Sequence, residues 1–432
     1  MDFKVSPSPF RSGSVTVPGD KSISHRALML GSIAKGRTEV TGFLNGEDCL
    51  ATAAAMRALG VEVREMSATD LVIEGVGLHG LRAPDGPLNL GNSGTAMRLM
   101  AGLLAGQAFD TVLTGDASLS GRPMNRIIAP LTKMGAAIEA DCDGTPPLQI
   151  KGGLRLQGIH YDMPVASAQV KSSVLLAGLY ADGTTSVTEP AVTRDHTERM
   201  LRAMGVEVVS DGARISVAGG QELHGCRIEV PGDLSSATFI ILGTLLSQDA
   251  DITIENVGVN PTRTGVIDIL CGMGAEISLQ NRRTCGDEPV ADIRVRSSRL
   301  TGGDVDPGLV SLAIDEFPAL FVAAAAADGE TRFAGLEELR VKESDRIAAM
   351  ADGLRRLGVD VVEAPDGATV RGGGFSGGVV ESYHDHRVAM SLAMAATIAE
   401  DEVTIRGVDN VATSFPEFCE RVATLGANVR LA

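Results

Sequence analysis

The chain has 432 residues, a formal net charge of −17 and 44% hydrophobic residues. A single hydrophobic core seldom grows to this size, so the length predicts two domains. The acidic balance argues against non-specific binding to nucleic acid or to an anionic membrane surface, and the longest apolar runs are too short to span a bilayer.

The cysteines give no sign of a metal site or a disulfide framework. All six are scattered along the chain without a CxxC pair, which fits a protein of a reducing compartment. The first ten residues, MDFKVSPSPF, lack the hydrophobic segment of a signal peptide. We therefore expect a cytoplasmic protein without a bound metal.

One sequence pattern, a helix that ends in glycine followed by a short apolar alternation, occurs six times. Its copies are ALGVEV at 58–63, KMGAAI at 133–138, AMGVEV at 203–208, GMGAEI at 272–277, RLGVDV at 356–361 and TLGANV at 424–429. A second helix–strand pair precedes each copy, so the predicted repeat is β-α-β-α-β-β over about 70 residues. Six repeats indicate two domains of three repeats each.

The tetrapeptide VPGD marks the predicted domain boundaries, since it occurs at 17–20 and again at 230–233. We expect residues 1–18 plus 233–432 to form domain 1 and residues 19–232 to form domain 2. The strand around 15–17 should then return to the C-terminal half. Gly and Pro near 18–20 and 231–233 suit a hinge, although they suit an ordinary turn as well. We expect the functional site to lie in the cleft between the two domains.

The predicted helices begin with polar or charged residues, whereas their bodies are rich in Ala, Leu and Met. Free backbone N–H groups and the positive end of the helix dipole attract anions at such starts, although ordinary capping residues are the alternative. Lys21 and Arg26 stand at the first start, where the dipole disfavours cations. A phosphate or carboxylate bound between them would explain this conflict.

Three later segments carry further charged candidates. The segment RVKESDR at 340–346 is expected to place Lys342, Glu343 and Arg346 on one helical face, where an anionic ligand would relieve the repulsion between the cations. Glu343 would then be a proton-transfer group, with a solvated helix face as the alternative. Asp315 stands at another helix start, which alone favours a carboxylate. The segment HDHR at 384–387 has no third ligand nearby, so a metal site there is not expected.

Eight segments, taken in order, carry a family resemblance. They are PGDKSISHRA, LGNSGTAMRL, GRPM, SAQVKS, NPTRTG, LRVKESDR, DHRVAM and TSFPEF. Over essentially its whole length the chain resembles the 5-enolpyruvylshikimate-3-phosphate synthases of the enolpyruvyl transferase family, and RDHTE at 194–198 is similar to their class II branch. The resemblance implies an α+β fold of two domains, each with three β-α-β-α-β-β units in a pseudo-threefold arrangement, an inside-out α/β barrel.

The resemblance also implies a reaction. The enolpyruvyl group of phosphoenolpyruvate would be transferred to the 5-hydroxyl of shikimate 3-phosphate, with release of phosphate through a tetrahedral intermediate, in the shikimate pathway of aromatic amino-acid biosynthesis. Neither a metal nor a cofactor is implied. We expect a monomer whose partners are these two small molecules, with no nucleic acid and no membrane.

The resemblance assigns site residues by motif. Those expected to bind shikimate 3-phosphate are Lys21, Ser22, Arg26, Ser167, Gln169, Arg194, Asp315 and Lys342. Those expected to bind phosphoenolpyruvate are Lys21, Gly94, Arg122, Gln169, Arg346, His386 and Arg387. Asp315 is the expected base at the attacking hydroxyl, and Glu343 with Lys21 the expected proton shuttle to the methylene carbon. Which of the three moves which proton stays open, because coupled groups do not titrate separately.

Two positions depart from patterns within the family. In the best-known glyphosate-tolerant form of class II, an alanine occupies the position of Gly94. The glycine here leaves room for glyphosate, a ligand longer than phosphoenolpyruvate, so we expect easier inhibition than the class suggests. Thr413 stands where the other branch carries a phosphate-facing lysine, so one cation is missing.

Two other functions stay open from the sequence. The sister enzyme that transfers enolpyruvyl to UDP-N-acetylglucosamine shares the fold and the donor, but it typically carries a reactive cysteine in a mobile loop. No cysteine lies near Arg122 in the sequence. A non-catalytic repeat scaffold is also compatible with the repeats, although it gives no reason for charged residues at equivalent helix starts.

Overall fold

The computed structural model describes all 432 residues as a succession of helices and short strands. The α-helices are α1 Lys21–Ile33, α2 Glu47–Ala58, α3 Gly94–Ala105, α4 Ala117–Ser120, α5 Asn125–Lys133, α6 Ala168–Gly178, α7 His196–Ala203, α8 Leu234–Leu246, α9 Gly265–Gly272, α10 Val310–Ala313, α11 Phe317–Ala326, α12 Arg346–Arg356, α13 His386–Ala396 and α14 Phe418–Thr424. Short 3-10 helices span Pro307–Leu309, Glu337–Val341 and Asp409–Thr413. None of the helices combines the length and apolar character that crossing a membrane requires.

The strands in chain order are β1 Asp2–Ser6, β2 Gly13–Thr16, β3 Lys35–Thr41, β4 Glu62–Glu65, β5 Leu71–Val76, β6 Leu88–Asn89, β7 Thr111–Thr114, β8 Ile138–Glu139, β9 Leu148–Ile150, β10 His160–Asp162, β11 Thr184–Thr188, β12 Val208–Asp211, β13 Arg214–Ala218, β14 Arg227–Glu229, β15 Asp251–Gly258, β16 Glu276–Cys285, β17 Glu288–Arg296, β18 Glu330–Phe333, β19 Asp360–Ala364, β20 Gly367–Arg371, β21 Gly378–Glu381, β22 Val403–Arg406 and β23 Asn428–Leu431. They form six small sheets, one for each repeat.

The chain divides into two compact units. The terminal unit comprises 1–18, 231–284 and 289–432, and the central unit comprises 19–230 and 285–288. The central unit thus ends at residue 230, two residues before the expected boundary at 232/233. Gly232 belongs to the terminal unit because it exchanges backbone hydrogen bonds with Asn256 and Gly258 of β15. The grouping of 285–288 with the central unit is a further difference from the expected division.

In the central unit, the three sheets have the strand orders β14-β3-β5-β4, β6-β7-β9-β8 and β10-β11-β13-β12. In each sheet the first pair is parallel and the other pairs are antiparallel, as in β10–β11 and β11–β13. The leading strand of the first repeat is β14, which comes from the end of the unit and places Ile228 opposite Val40. The last strand of the central unit thus completes the sheet of its first repeat.

The terminal unit repeats this arrangement with two changes. Its sheets have the orders β2-β15-β17-β16, β18-β20-β19 and β21-β22-β1-β23. The parallel pairing of β2 with β15 confirms that the strand near residue 15 returns to the C-terminal half. In the middle repeat, however, the expected leading strand is reduced to isolated bridges at Thr301 and Asp304. The last repeat takes its final strand from β1, at the other end of the chain.

Helices form the interior of each unit, with the sheets on the outside. In the central unit α3 packs against α1 and α6, and in the terminal unit α8, α11 and α13 pack against one another. These helices are buried along nearly their whole length, whereas strands such as β2 and β10 each bury a single residue. Burial of both faces explains why the helix bodies are almost entirely apolar or small. The predicted α+β class is confirmed.

The repeated glycine of the sequence pattern has one structural role. Gly60, Gly135, Gly205, Gly274, Gly358 and Gly426 all have positive φ angles, between 86° and 101°. Each follows the C-terminal cap of the second helix of its repeat. Glycine adopts this left-handed conformation without steric cost and so ends the helix and redirects the chain into a strand.

Candidate functional site

The start of α1 holds two of the predicted cations. Asp20 caps the helix, and its carboxylate accepts the backbone N–H of Ile23 at 2.9 Å. Nζ of Lys21 lies 2.5 Å from Oδ2 of Asp48 on α2, with 17% of the lysine side chain exposed. Lys21 is therefore fixed in direction, and its side chain stays partly exposed.

Arg26, one turn further along α1, is almost completely buried. Its guanidinium donates to three neutral acceptors, namely the carbonyl of Ser22 at 2.9 Å, Oγ of Ser172 at 2.8 Å and Oγ1 of Thr197 at 2.7 Å. These bonds tie α1 to α6 and α7. Burial lowers the pKa of Arg26 to about 10, against the opposing effect of Glu198, so the group stays charged at neutral pH.

His25 joins α1 to the start of α3. Its Nδ1 lies 2.8 Å from Oγ1 of Thr52, and its Nε2 lies 3.3 Å from Oγ of Ser93, which caps α3. Burial first, and then the charges of Lys21 and Arg26, hold the pKa of His25 well below its ordinary value. A neutral imidazole therefore links the two helix starts.

Arg122 lies beside the start of α3. It donates to Oδ1 of Asn92 at 2.6 Å, to the carbonyl of Asn92 at 3.2 Å and to Oγ of Ser118 at 3.1 Å. A methyl group added at Gly94 would lie 3.3 Å from Nη1 of Arg122 and 2.9 Å from Nη1 of Arg98. The absence of a side chain at Gly94 thus lets two guanidinium groups lie close to the start of α3.

Gln169 connects the starts of α3 and α6. Its Oε1 accepts from Nη1 of Arg98 at 2.6 Å, and its Nε2 donates to Oγ1 of Thr95 at 2.9 Å. Ser167 caps α6, and its Oγ accepts the backbone N–H of Val170 at 3.4 Å. The sequence did not single out Arg98, because a lone arginine in the helix that follows GNSGT looks like an ordinary surface charge.

Arg194 is the last predicted residue of the central unit. It stands two residues before α7, directly after Thr193. Thr197 of α7 accepts a hydrogen bond from Arg26. The start of α7 therefore carries Arg194 just before it and also holds Arg26 in position. The starts of α1, α3, α6 and α7 are therefore linked by side-chain bonds into one region rich in cations and backbone donors.

The terminal unit contains a second charged cluster, centred on Arg346. This side chain is 1% exposed and lies against three carboxylates. Nε is 2.8 Å from Oδ2 of Asp385, Nη2 is 2.6 Å from Oε2 of Glu343 and Nη1 is 3.3 Å from Oδ1 of Asp315. Burial alone would lower the pKa of Arg346, but these carboxylates raise it above its ordinary value.

Asp315 lies among three cations. Nζ of Lys342 is 3.6 Å from its Oδ1, and Nη2 of Arg387 is 3.9 Å from its Oδ2, in addition to the contact with Arg346. The side chain keeps 16% exposure. Its place just before α11 agrees with the helix-start position expected from the sequence.

The expected helical face at 340–346 is wrong. A 3-10 helix ends at Val341, and α12 begins only at Arg346, with Asp345 as its cap accepting the N–H of Ala348 at 3.0 Å. Lys342 and Glu343 lie in the irregular segment between the two helices. Their proximity to Arg346 arises from ion pairs and not from helical spacing.

Asp385 is a residue of this cluster that the sequence analysis did not assign. It caps α13, accepts the backbone N–H of Arg387 at 2.9 Å and accepts from Oγ of Ser344 at 3.1 Å. Burial opposes its ionisation, yet Arg346 holds the pKa of Asp385 below the ordinary value. Asp385 stands just before a helix of small apolar residues, which is a typical capping signal, so its role as a cap could have been predicted from the sequence.

The remaining predicted positions also lie in the terminal unit. His386 is the first residue of α13 and is 5% exposed. Thr413 lies in a 3-10 helix and donates to the carbonyl of Asn410 at 2.7 Å. No group of three or more His, Cys, Asp or Glu side chains is arranged to hold a metal ion.

Chemically, the two clusters have different capacities. The central unit presents cations and helix starts, which suit phosphate and carboxylate groups. The terminal unit combines three cations with carboxylates that keep some exposure, Asp315 and Glu343. Such carboxylates are suited to accept or deliver protons next to a bound anion.

A model of the family described as EPSP synthase (3-phosphoshikimate 1-carboxyvinyltransferase) matches residues 7–422. The 3-phosphoshikimate 1-carboxyvinyltransferase of Alkalilimnicola ehrlichii is 58% identical over 99% of this chain and 96% of its own length. That of Methylococcus capsulatus is also 58% identical, over 99% of this chain and 98% of its own.

Two solved structures are similar to the whole chain. An EPSP synthase from Acinetobacter baumannii is 53% identical, covers 100% of both chains and has a TM-score of 0.89. An enolpyruvyl transferase from Streptomyces tendae covers 99% of this chain and 98% of its own with a TM-score of 0.81. Its 17% identity makes it a likeness of fold alone.

Proposed function

The chain belongs to the EPSP synthase family and is a transferase, and from this premise we propose its reaction. The enolpyruvyl group of phosphoenolpyruvate is transferred to the 5-hydroxyl of shikimate 3-phosphate, and phosphate is released. The observation that carries the proposal is the family match over residues 7–422. The charged groups at the helix starts give it a chemical basis.

Shikimate 3-phosphate is proposed to bind Lys21, Ser22, Arg26, Ser167, Gln169, Arg194, Asp315 and Lys342. The bonding of Arg26 supports this set, because its partners at Ser22, Ser172 and Thr197 are neutral. The phosphate and carboxylate of this substrate would add to the carboxylates of Glu198 and Asp20, which already offset the charge of Arg26.

Phosphoenolpyruvate is proposed to bind Lys21, Gly94, Arg122, Gln169, Arg346, His386 and Arg387. The bonds of Arg122 to Asn92 and Ser118 fix the direction of its guanidinium. The missing side chain at Gly94 lets this guanidinium and that of Arg98 lie close to the start of α3, where a phosphate or carboxylate would meet both charges. Arg346 and Arg387 add two cations whose positions depend on Asp385.

The proposed chemistry is an addition followed by an elimination. The 5-hydroxyl oxygen bonds to C2 of phosphoenolpyruvate while its proton passes to a base and another proton adds to the methylene carbon. The tetrahedral intermediate then loses a proton from the new methyl group and expels phosphate, which restores the double bond. We assign the base to Asp315 and the proton shuttle at carbon to Glu343 with Lys21.

One turnover requires both substrates, the removal of a proton from the hydroxyl group and the addition of a proton to the methylene carbon. We therefore propose that the assigned cations and carboxylates act on the same bound pair of substrates. Positioned cations would stabilise the charge that develops on the departing phosphate, and the carboxylates would move the protons. The reaction as proposed uses side chains alone.

We also propose that the enzyme acts as a monomer in the cytoplasm and binds neither nucleic acid nor membranes. The six cysteines are free thiols, and the net charge is −17. Free thiols suit a reducing compartment, and an acidic surface repels nucleic acid and anionic lipid. Light scattering of the purified protein measures the oligomeric state, and a mass of two chains would overturn that part.

Phosphate release measured with shikimate 3-phosphate and phosphoenolpyruvate tests the proposed reaction. We expect turnover that requires both substrates. Turnover with UDP-N-acetylglucosamine in place of shikimate 3-phosphate would instead indicate the sister enzyme. Absence of turnover with either acceptor would favour a binding scaffold and contradict the proposal.

A further inference from the structure

Lys171 is a buried lysine that the proposed reaction does not use. It lies on α6, and its side chain is 1% exposed. Nζ is 2.7 Å from Oε1 of Glu198 on α7 and 3.0 Å from Oε1 of Glu189, the residue that follows β11. It also donates to the carbonyl of Thr193 at 3.3 Å. The three donors of the ammonium thus have three partners.

The two glutamates are buried as well, with 7% exposure for Glu189 and 2% for Glu198. Burial raises the pKa of Glu189, against the opposing charge of Lys171. The hydroxyl of Thr193 donates to the same carboxylate and closes the loop 189–193. Removing ions from water is costly, so such a cluster adds little stability compared with apolar packing. A role in positioning would explain why it is ionic.

The cluster is next to the residues that are proposed to hold shikimate 3-phosphate. The loop that it fastens ends at Thr193, directly before Arg194. Ser172 directly follows Lys171 in the sequence, and Thr197 directly precedes Glu198. The hydroxyls of both residues accept hydrogen bonds from Arg26. The ion pairs therefore lock α6, α7 and the loop in the arrangement that both arginines need.

We propose that Lys171, Glu189 and Glu198 form a positioning cluster that sets the affinity for shikimate 3-phosphate through Arg194 and Arg26. This inference rests on the proposed function. The cluster touches no reacting atom, so it should affect the binding of one substrate and leave the proton transfers unchanged. A merely structural cluster would affect stability without this selectivity.

Glu198→Gln is the first test variant, because the amide keeps the size of the side chain and an oxygen for Lys171 while removing the charge. We expect the Kd for shikimate 3-phosphate, measured by calorimetry without the second substrate, to rise at least tenfold. KM for phosphoenolpyruvate and kcat at saturation should change less than threefold. Lys171→Met combined with Glu189→Gln and Glu198→Gln, which leaves no buried charge in the cluster, should show the same selectivity.

Lys151→Met is the matched control, since it removes an exposed ion pair with Asp110 in the same unit. It should leave the Kd for shikimate 3-phosphate unchanged. A lower melting temperature of the test variants with an unaltered Kd would overturn the positioning role and leave the proposed function intact. If the wild-type protein itself failed to bind shikimate 3-phosphate, the proposed function would fall, and this inference with it.

Discussion

The Nε atom of Arg346 lies 2.8 Å from Oδ2 of Asp385, and both side chains are at most 1% exposed. Because Asp385 also accepts the backbone N–H of Arg387, this contact joins the start of α12 to the start of α13. One carboxylate thus holds the guanidinium of Arg346 and the backbone N–H of Arg387. Loss of that carboxylate leaves Arg346 with a buried charge that is less well compensated.

Replacing Asp385 by asparagine should weaken both the fold and the binding of phosphoenolpyruvate. The amide preserves the shape of the side chain but not its charge, so we expect the free energy of unfolding to fall by about 3 kcal/mol. KM for phosphoenolpyruvate should rise because Arg346 loses the charged partner that holds its guanidinium in place. Urea denaturation and steady-state kinetics measure the two effects.

Glu417→Gln provides the comparison for that variant. It removes an exposed i,i+4 pair with Arg421 in the same unit, and pairs of this kind contribute less than about 1 kcal/mol. Similar losses of stability in the two variants would mean that the contact of Asp385 with Arg346 has no special weight.

Asp315→Ala and Glu343→Gln should each lower kcat by a factor of about 100 or more, which is the usual range for general acid–base groups. The alanine removes the proposed base, and the glutamine keeps an acceptor for Arg346 but cannot carry a proton. Phosphate release gives the rate, and circular dichroism verifies the fold.

The control for these two is Glu363→Gln, which breaks only an exposed pair with Arg355 and should retain the wild-type rate. A variant of Asp315 or Glu343 with wild-type kcat would remove that residue from the catalytic set.

Gly94→Ala should impair phosphoenolpyruvate binding and impair glyphosate binding more. The added methyl group would meet Nη1 of Arg98 at 2.9 Å and Nη1 of Arg122 at 3.3 Å, so a guanidinium must shift. Crowding of this kind costs about 1.4 kcal/mol or more, which corresponds to about a tenfold rise in KM. The inhibition constant for glyphosate should rise further because that ligand is longer.

Gly86→Ala, where an added methyl group meets nothing within 4 Å, should change neither constant. High tolerance of the unmodified enzyme to glyphosate, unaltered by Gly94→Ala, would show that the glycine does not control inhibition.

The buried imidazole of His25 should make stability depend on pH. Burial, Lys21 and Arg26 lower its pKa in the fold, whereas the unfolded chain takes up a proton near pH 6.5. Below about that pH the unfolded state binds more protons, so the free energy of unfolding falls by up to about 1.4 kcal/mol per pH unit. His25→Gln should reduce this slope in urea denaturation. An identical slope in both proteins would contradict the assignment.

The repeats and the helix starts were accessible from the sequence because each is a local signal. A glycine that ends a helix and a polar residue that begins one depend on a few neighbouring residues. The predicted starts of α1, α3, α6, α11 and α13 are all found close to their expected positions. Lys21, Arg26 and Asp315 were accessible from the same signals.

The segment 340–346 shows the limit of periodicity. The spacing of Lys342 and Arg346 fits one helical face, but Asp345 caps α12 and stops the helix from extending backwards. Ion pairs with Asp315 bring the two cations together instead. The burial of Lys171 was equally inaccessible, because its two glutamates come from other elements of the fold.

The position of β1 in the last sheet has a consequence for how the chain is made. β1 lies between β22 and β23, and both of these partners are synthesised after the whole central unit. Until then the nascent chain carries β1 without its partners, while the long stretch 19–230 of the central unit is already available. Biosynthesis thus imposes an order of assembly in which β1 is paired only after the central unit has been synthesised.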